Sequence, residues 1–142
     1  MAFVVWSEMF AVHVPYIDNQ HRRLLEIVNE FHAAVEESKN REVIFETLNA
    51  LTRYAEEHFR DEEKIMEAAE YPAVDLTTHK HLHEQLVEDV FRLHKEFSDS
   101  RKKPIYELET FLNSWLIQHI LLEDKKYEPY CKGLGAYIPR AR

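Results

Sequence analysis

Apolar residues recur every three or four positions along four stretches of the chain, a spacing typical of amphipathic helices. These stretches cover residues 18–38, 41–69, 75–98 and about 104–119. Asp18 is predicted to cap the first helix, and Tyr71-Pro72 is predicted to end the second. Four amphipathic helices joined by short loops predict an all-α, up-down-up-down antiparallel four-helix bundle.

The chain of 142 residues is predicted to form one domain, because this is a common size for a single folded unit. Residues 1–17 show no strong period and contain Trp6, so they are predicted to lie as an arm across the bundle of residues 18–130. Residues 131–142 are predicted to form a C-terminal tail.

Charge and composition exclude several classes of function. The net charge is -8 at pH 7, and a surface of this sign repels nucleic acid and anionic membranes. No apolar run approaches the roughly 20 residues that span a bilayer, and the first residues do not resemble a signal peptide. Cys131 is the only cysteine, so it is expected to be an ordinary reduced thiol. We therefore expect a cytoplasmic protein that binds neither nucleic acid nor a membrane.

Seven polar side chains interrupt the apolar faces of the predicted helices. The first and third helices begin at the end of the bundle where the second and fourth finish, so all seven are predicted to share one layer. Buried polar groups destabilise a fold unless they are paired or bind a metal. The seven residues are His21, His58, Glu62, His79, His83, His119 and Asp124.

Helical spacing brings some of these residues onto common faces. His58 and Glu62 are four residues apart, as are His79 and His83, so each pair projects from one side of a helix. One such pair alone is weak evidence for a metal. Two pairs at matching depth, joined by two further histidines, are much stronger evidence.

The two halves of the chain also repeat one arrangement. Glu62 follows His21 by 41 residues, and Asp124 follows His83 by the same number. Each half then contributes two histidines and one carboxylate, and His79 is the additional ligand. Five imidazoles and two carboxylates favour two ions of the iron class, with the carboxylates placed to bridge them.

Asp124 does not fit an ideal helix together with His119. The two residues are five positions apart, whereas Glu123 at four positions would share the face of His119. If Asp124 is the ligand, a local widening or π-bulge is predicted near the site.

The other histidines, which are His13, His32, His81 and His94, are interpreted as ordinary residues. His32 and His94 return to the ligand face deeper in the bundle, where the facing helices offer Thr47 and Leu108 rather than carboxylates. No second metal layer is expected there.

With these residues in view, the chain resembles the bacterial hemerythrins over nearly its whole length. The matching stretches are Ile17-Asp18-Asn19-Gln20-His21, His58-Phe59-Arg60-Asp61-Glu62-Glu63, Tyr71-Pro72, His79-Lys80-His81-Leu82-His83, and Trp115-Leu116-Ile117-Gln118-His119-Ile120 with Asp124 and Tyr127.

The resemblance implies an asymmetric pair of irons. One iron would be held by His79, His83 and His119, and the other by His21 and His58. Glu62, Asp124 and an oxo or hydroxo group would bridge the two ions. Dioxygen would bind in the diferrous state at the iron with two histidines, which keeps an open coordination position.

Apolar residues next to the ligands are predicted to make a dry oxygen pocket that limits oxidation of the metal pair. The same residues could equally be ordinary core, and the two interpretations are compatible. They are Leu24, Phe59, Trp115, Leu116 and Ile120. Trp6 in the arm also occupies a position like that of a tryptophan near the pocket of similar proteins.

Two other functions fit the same site. One is a di-iron enzyme with oxidase, peroxidase or nitric oxide chemistry, and the other is a sensor of oxygen or redox state. Carboxylate-rich di-iron enzymes use about four carboxylates and two histidines, whereas this site has the reverse ratio, so reversible binding is favoured. A freestanding protein that transports or stores oxygen, or delivers it to an oxygen-using enzyme, is preferred over a sensor. The sequence does not assign an oligomeric state.

Overall fold

The structure, a computed structural model of the chain, describes residues 4–37, 40–99, 105–132 and 134, and side chains for all of these except 97–99, 105, 106 and 108. Its four helices confirm the predicted all-α bundle. They are α1 (Pro15–Glu36), α2 (Arg41–Ala68), α3 (Ala73–Asp99) and α4 (Ile105–Gln118). α1 and α3 each pack against both α2 and α4, so the helices form a closed ring around one core.

The predicted start of the first helix was wrong by three residues. α1 begins at Pro15, because proline has no N–H to leave unpaired and its fixed φ suits the first helical position. Asp18 lies within the first turn and caps nothing. Its carboxylate instead accepts a hydrogen bond of 2.8 Å from the backbone N–H of Val12, which ties the arm to the helix.

Both ends of α2 are set by local hydrogen bonds. The side chain of Asn40 accepts from the N–H of Val43 and caps the first turn. At the other end, the N–H of Tyr71 donates to the carbonyl of Met66, and the N–H of Glu70 donates to Glu67. This is a Schellman ending, and Glu70 takes the left-handed φ of 59° that it requires.

The arm, as described from residue 4, packs along α1 and enters the core. The side chain of Asn29 exchanges two hydrogen bonds with the backbone of Val4. Trp6 packs against Phe10, and the Arg22 guanidinium lies 4.6 Å from the Trp6 ring centre. Phe10 is part of the main core. The arm therefore covers one side of the bundle, while most of the predicted tail lies outside the described residues.

Two apolar clusters fill the bundle. The main cluster occupies its length and includes Phe31, Leu48 and Leu116. A second cluster, which includes Val12 and Tyr127, closes one end. No helix among the described residues is long and apolar enough to cross a membrane.

Candidate metal centre

α4 changes its winding where the candidate site begins. Residues His119–Glu123 form a π-helix, and Asp124–Cys131 continue as a 3-10 helix. This is the widening predicted from the spacing of His119 and Asp124. Glu123 consequently faces the surface, where it pairs with Lys126, and Asp124 is completely buried.

The structure brings all seven predicted metal-site residues together at one end of the bundle, and all are buried. They form two overlapping groups that could hold a metal ion, with candidate ligand atoms within 4.8 Å of one another. The first group contains His79, His83 and His119. The second contains His21 and His58. Both groups include Glu62 and Asp124.

Each carboxylate has one oxygen directed toward each histidine group. Oε1 of Glu62 lies 3.1 Å from Nε2 of both His79 and His83, whereas Oε2 lies 3.4 Å from His21 and 3.3 Å from His58.

The two oxygens of Asp124 also face different histidine groups. Its Oδ1 lies 3.1 Å from Nε2 of His79 and 2.9 Å from that of His119, and its Oδ2 lies 3.1 Å from His21. A carboxylate that spans two groups of nitrogen donors is placed to bridge two ions.

Several buried polar atoms lack ordinary hydrogen bonds. Among the described residues, neither ring nitrogen of His21 and neither oxygen of Asp124 has a partner in hydrogen-bonding geometry. The Nε2 atoms of His83 and His119 face each other at 3.1 Å, with Glu62 beside the first and Asp124 beside the second. Unpaired buried polar atoms are costly, so a metal that accepts their lone pairs fits this donor set.

The charges of the site alter several pKa values. Burial alone would lower the pKa of His21, but the carboxylates of Asp124 and Glu62 outweigh it and raise it to about 9. The same balance raises the pKa of His79 to about 10. Burial lowers the pKa of His58. Burial opposes ionisation of Glu62 and Asp124, yet the neighbouring histidines hold both pKa values below their usual range.

Hydrogen bonds behind the histidines were not predicted from the sequence. Nδ1 of His58 lies 2.7 Å from Oε1 of Gln20, and Gln20 donates to Asp61 over 2.8 Å. Nδ1 of His83 lies 2.8 Å from Oε2 of Glu63. These residues adjoin ligand positions in the matching stretches, which was the only signal in the sequence that could have identified them.

Tyr127 supports the site from the end cluster. Its hydroxyl donates to Oε2 of Glu62 over 2.9 Å. Burial and the adjacent carboxylates raise the pKa of Tyr127 well above its usual value, so it remains a donor. Cys131 is buried nearby, and burial raises its pKa to about 11. It is a thiol at neutral pH, and its predicted lack of a redox role stays a prediction.

The predicted pocket residues surround the site in two ways. Leu24, Trp115 and Leu116 line a small apolar cavity in the bundle beside the site. Phe59 stacks on His83 with ring centres 3.9 Å apart, and Trp115 stacks on His119 at 4.4 Å. Ile120 is buried in the main core. Their role toward oxygen stays a prediction, but together they give the histidines a largely apolar surrounding.

The remaining histidines have other contacts. His32 lies 2.9 Å from Glu109 of α4, a carboxylate that the sequence analysis did not expect at this depth.

Three further histidines have contacts unrelated to the candidate site. His13 contacts Glu128, and His94 packs on the ring of Phe45. His81 lies 3.6 Å from Glu84 on the surface. Leu108, which was expected opposite His94, has no described side chain.

Comparisons with known proteins agree with this geometry. The family model of the hemerythrin HHE cation binding domain matches residues 12–131. A bacteriohemerythrin of Stenotrophomonas maltophilia is 33% identical over 138 residues, which cover 93% of this chain and 84% of the relative. A bacteriohemerythrin of Methylococcus capsulatus is 32% identical over 130 residues, which cover 91% of this chain and 97% of the relative.

More distant relatives and solved structures match as well. A myohemerythrin of Theromyzon tessulatum is 29% identical, covering 87% of this chain and 89% of the relative. The crystal structure of a wild-type hemerythrin superposes with a TM-score of 0.82 at 31% identity, covering 93% of this chain and all of that one.

Proposed function

This chain belongs to the hemerythrin family, and we propose on that basis that it binds dioxygen reversibly at a di-iron centre. The proposed ligands of the two irons are the two groups of side chains described for the candidate metal centre. His79, His83 and His119 hold one iron, and His21 and His58 hold the other. Glu62, Asp124 and an oxo or hydroxo group bridge the pair.

The observation that carries this proposal is the division of each carboxylate between the two histidine groups. A single metal ion would not require Glu62 and Asp124 each to direct one oxygen toward the three-histidine group and the other toward the two-histidine group. The group with two histidines provides one donor fewer, so a coordination position remains there for dioxygen. An iron pair held by these residues would supply the reversible two-electron chemistry that binding of dioxygen needs.

The protein around the centre restricts what can reach it. Phe59 and Trp115 cover His83 and His119 with flat apolar faces, and Leu24 and Leu116 line the adjoining cavity. Such an environment excludes water and protons, which limits irreversible oxidation. Tyr127 fixes the position of Glu62 through its hydroxyl. We propose that the adjoining cavity admits dioxygen.

The donor set favours a carrier over an enzyme. Five neutral imidazoles provide less negative charge than the carboxylate-rich sites of di-iron enzymes, so they stabilise highly oxidised iron less well. We propose transport, storage or delivery of dioxygen to an oxygen-using enzyme, with oxidase, peroxidase or nitric oxide chemistry as the alternative for the same site. Sensing of oxygen or redox state is a further alternative.

Cycles of oxygenation and deoxygenation separate these functions. Reduced, iron-loaded protein is exposed to air and then to argon, while its visible spectrum is recorded, first alone and then with an added phenol. A carrier regains its starting spectrum in each cycle and leaves the phenol unchanged. Efficient oxidation of the phenol, or a spectrum that never returns under argon, would overturn the carrier function.

A further inference from the structure

Two proposed ligand histidines differ in what their second ring nitrogen contacts. An imidazole that binds a metal through Nε2 carries its proton on Nδ1, so Nδ1 donates a hydrogen bond. For His83 the acceptor is the carboxylate of Glu63, 2.8 Å away. For His58 it is the neutral amide oxygen of Gln20, 2.7 Å away.

The other histidine of the two-histidine group receives no such support. Nδ1 of His21 is buried and has no hydrogen-bond partner among the described residues. Neither His21 nor His58 therefore donates from Nδ1 to a carboxylate within the described part of the chain. The three-histidine group has at least one such contact, through His83.

The orientation of the Gln20 amide is fixed by a buried anion. An amide can turn either its oxygen or its nitrogen toward a neighbour. The Gln20 Nε2 donates to Oδ2 of Asp61 over 2.8 Å, and the Tyr16 hydroxyl donates to the same oxygen over 2.9 Å. Gln20 is 6% exposed and Asp61 is 2% exposed. Asp61 thus holds the NH₂ group toward itself and directs the amide oxygen toward His58.

We propose that Asp61 and Gln20 are positioning residues that keep His58 a weaker electron donor than His83, so that the two-histidine iron is the more easily reduced of the pair. A carboxylate acceptor draws the Nδ1 proton and increases electron density at Nε2, which stabilises the oxidised metal. A neutral amide has a smaller effect. The inference rests on the proposed di-iron function. It explains why the buried carboxylate of Asp61 reaches His58 through the amide of Gln20 rather than by direct contact.

The structure offers a substitution pair that tests this directly. Gln20→Glu combined with Asp61→Asn exchanges an amide and a carboxylate in place, so total charge and side-chain size are nearly unchanged. The introduced carboxylate accepts from His58 and from the NH₂ group of the introduced amide. That NH₂ group takes the place of Oδ2, and its second N–H can donate to the hydroxyl oxygen of Tyr16. In a redox titration of the iron-loaded protein, we expect a lower midpoint potential. At a fixed ambient potential, the ratio of oxidised to reduced centres should rise on the order of tenfold, the lower end of the effect that such hydrogen-bond partners have on metal affinity.

Glu63→Gln provides the opposite change at the other group. It replaces the carboxylate acceptor of His83 with an amide, so the midpoint potential should rise. Glu56→Gln is the matched control. Glu56 lies on α2 and lines the same surface groove between α2 and α3 as Glu63, and its substitution should leave the potential unchanged.

The inference is overturned if the doubly substituted protein binds two irons but keeps the wild-type potential, or shows a higher one. Glu63 is partly exposed, so its variant tests the inference even where the buried pair fails to fold, and an unchanged potential in Glu63→Gln also overturns it. Failure of the proposed function differs from both results, because the unsubstituted protein would then lack two irons or an oxygen-dependent band.

Discussion

The polar layer of the bundle and the apolar layers on either side of it are equally buried but contribute in opposite ways. Leu48 in the main core and Tyr127 in the end cluster are both inaccessible to solvent, as are His21 and Glu62 between them. Apolar residues gain free energy from burial, whereas histidines and carboxylates lose hydration. The apolar layers therefore stabilise the fold, whereas the polar layer stabilises it only where its side chains are paired or hold a metal.

The largest effect is expected from removing a carboxylate that faces both histidine groups. Glu62→Gln and Asp124→Asn each replace one ligand oxygen with an NH₂ group that cannot bind a cation. We expect iron content, measured by elemental analysis, to fall from about two per chain to one or fewer.

Glu123→Gln is the matched control for these variants. Glu123 neighbours Asp124 but pairs with Lys126 at the surface, so this variant should retain both irons. Loss of iron in Glu123→Gln together with full retention in Asp124→Asn would contradict the assignment of Asp124.

Substitution in the apolar layer should produce the complementary result. Leu48→Ala removes a completely buried side chain and should lower the free energy of unfolding by about 2–5 kcal/mol, measured by urea denaturation. Iron content should stay at the wild-type value. Val43→Ala on the same helix is the control, because Val43 is exposed and its loss should cost less than about 0.5 kcal/mol. A Leu48 variant that folds with wild-type stability but loses iron would break the division between the layers.

The pH dependence of stability should also distinguish the polar layer. In the metal-free protein the folded pKa values of His21 and His79 are about 9 and about 10, above the usual 6.5. Their contribution is fully present below about pH 6.5 and is lost as the pH rises through those values. Glu62 and Asp124 have lowered pKa values, so their contribution is present above the usual carboxyl pKa and is lost in acid.

We therefore expect metal-free protein to be less stable toward urea at pH 8.5 than at pH 6.5. Iron-loaded protein should show a smaller decrease, because metal replaces the protons and binds more tightly as pH rises. Equal losses with and without iron would contradict the assignment of this pH dependence to the metal layer.

The smallest effect is expected outside both layers, at the end of α2. Glu70 adopts a left-handed φ of 59°, which costs a residue with a Cβ about 1 kcal/mol and costs glycine little. Glu70→Gly should increase the free energy of unfolding by about that amount while iron content is unchanged. Glu70→Ala is the control for loss of the side chain, and an equal gain in both variants would argue against backbone strain as the cause.

The helical periodicity of the sequence was sufficient to predict the bundle and the depth at which the polar layer lies in it. The five-residue step from His119 to Asp124 even predicted the π-helix, because a regular helix cannot place both side chains on one face. The start of α1 was missed because Asp18 was interpreted as a cap, although Pro15 satisfies the first turn without one.

Contacts between distant residues could not be predicted in this way. The Gln20 and Asp61 contacts behind His58 join α1 to α2, and the pair of His32 with Glu109 joins α1 to α4. Each depends on the rotation of one helix against another, which helical spacing along the chain does not determine.

The most direct test of the central claim is to locate the metal by anomalous diffraction at the iron edge, using crystals of the iron-loaded protein. We predict two peaks, both in contact with Glu62 and Asp124, one bound by His79, His83 and His119 and the other by His21 and His58. A single peak, or a second ion bound by Glu123 instead of Asp124, would contradict the account.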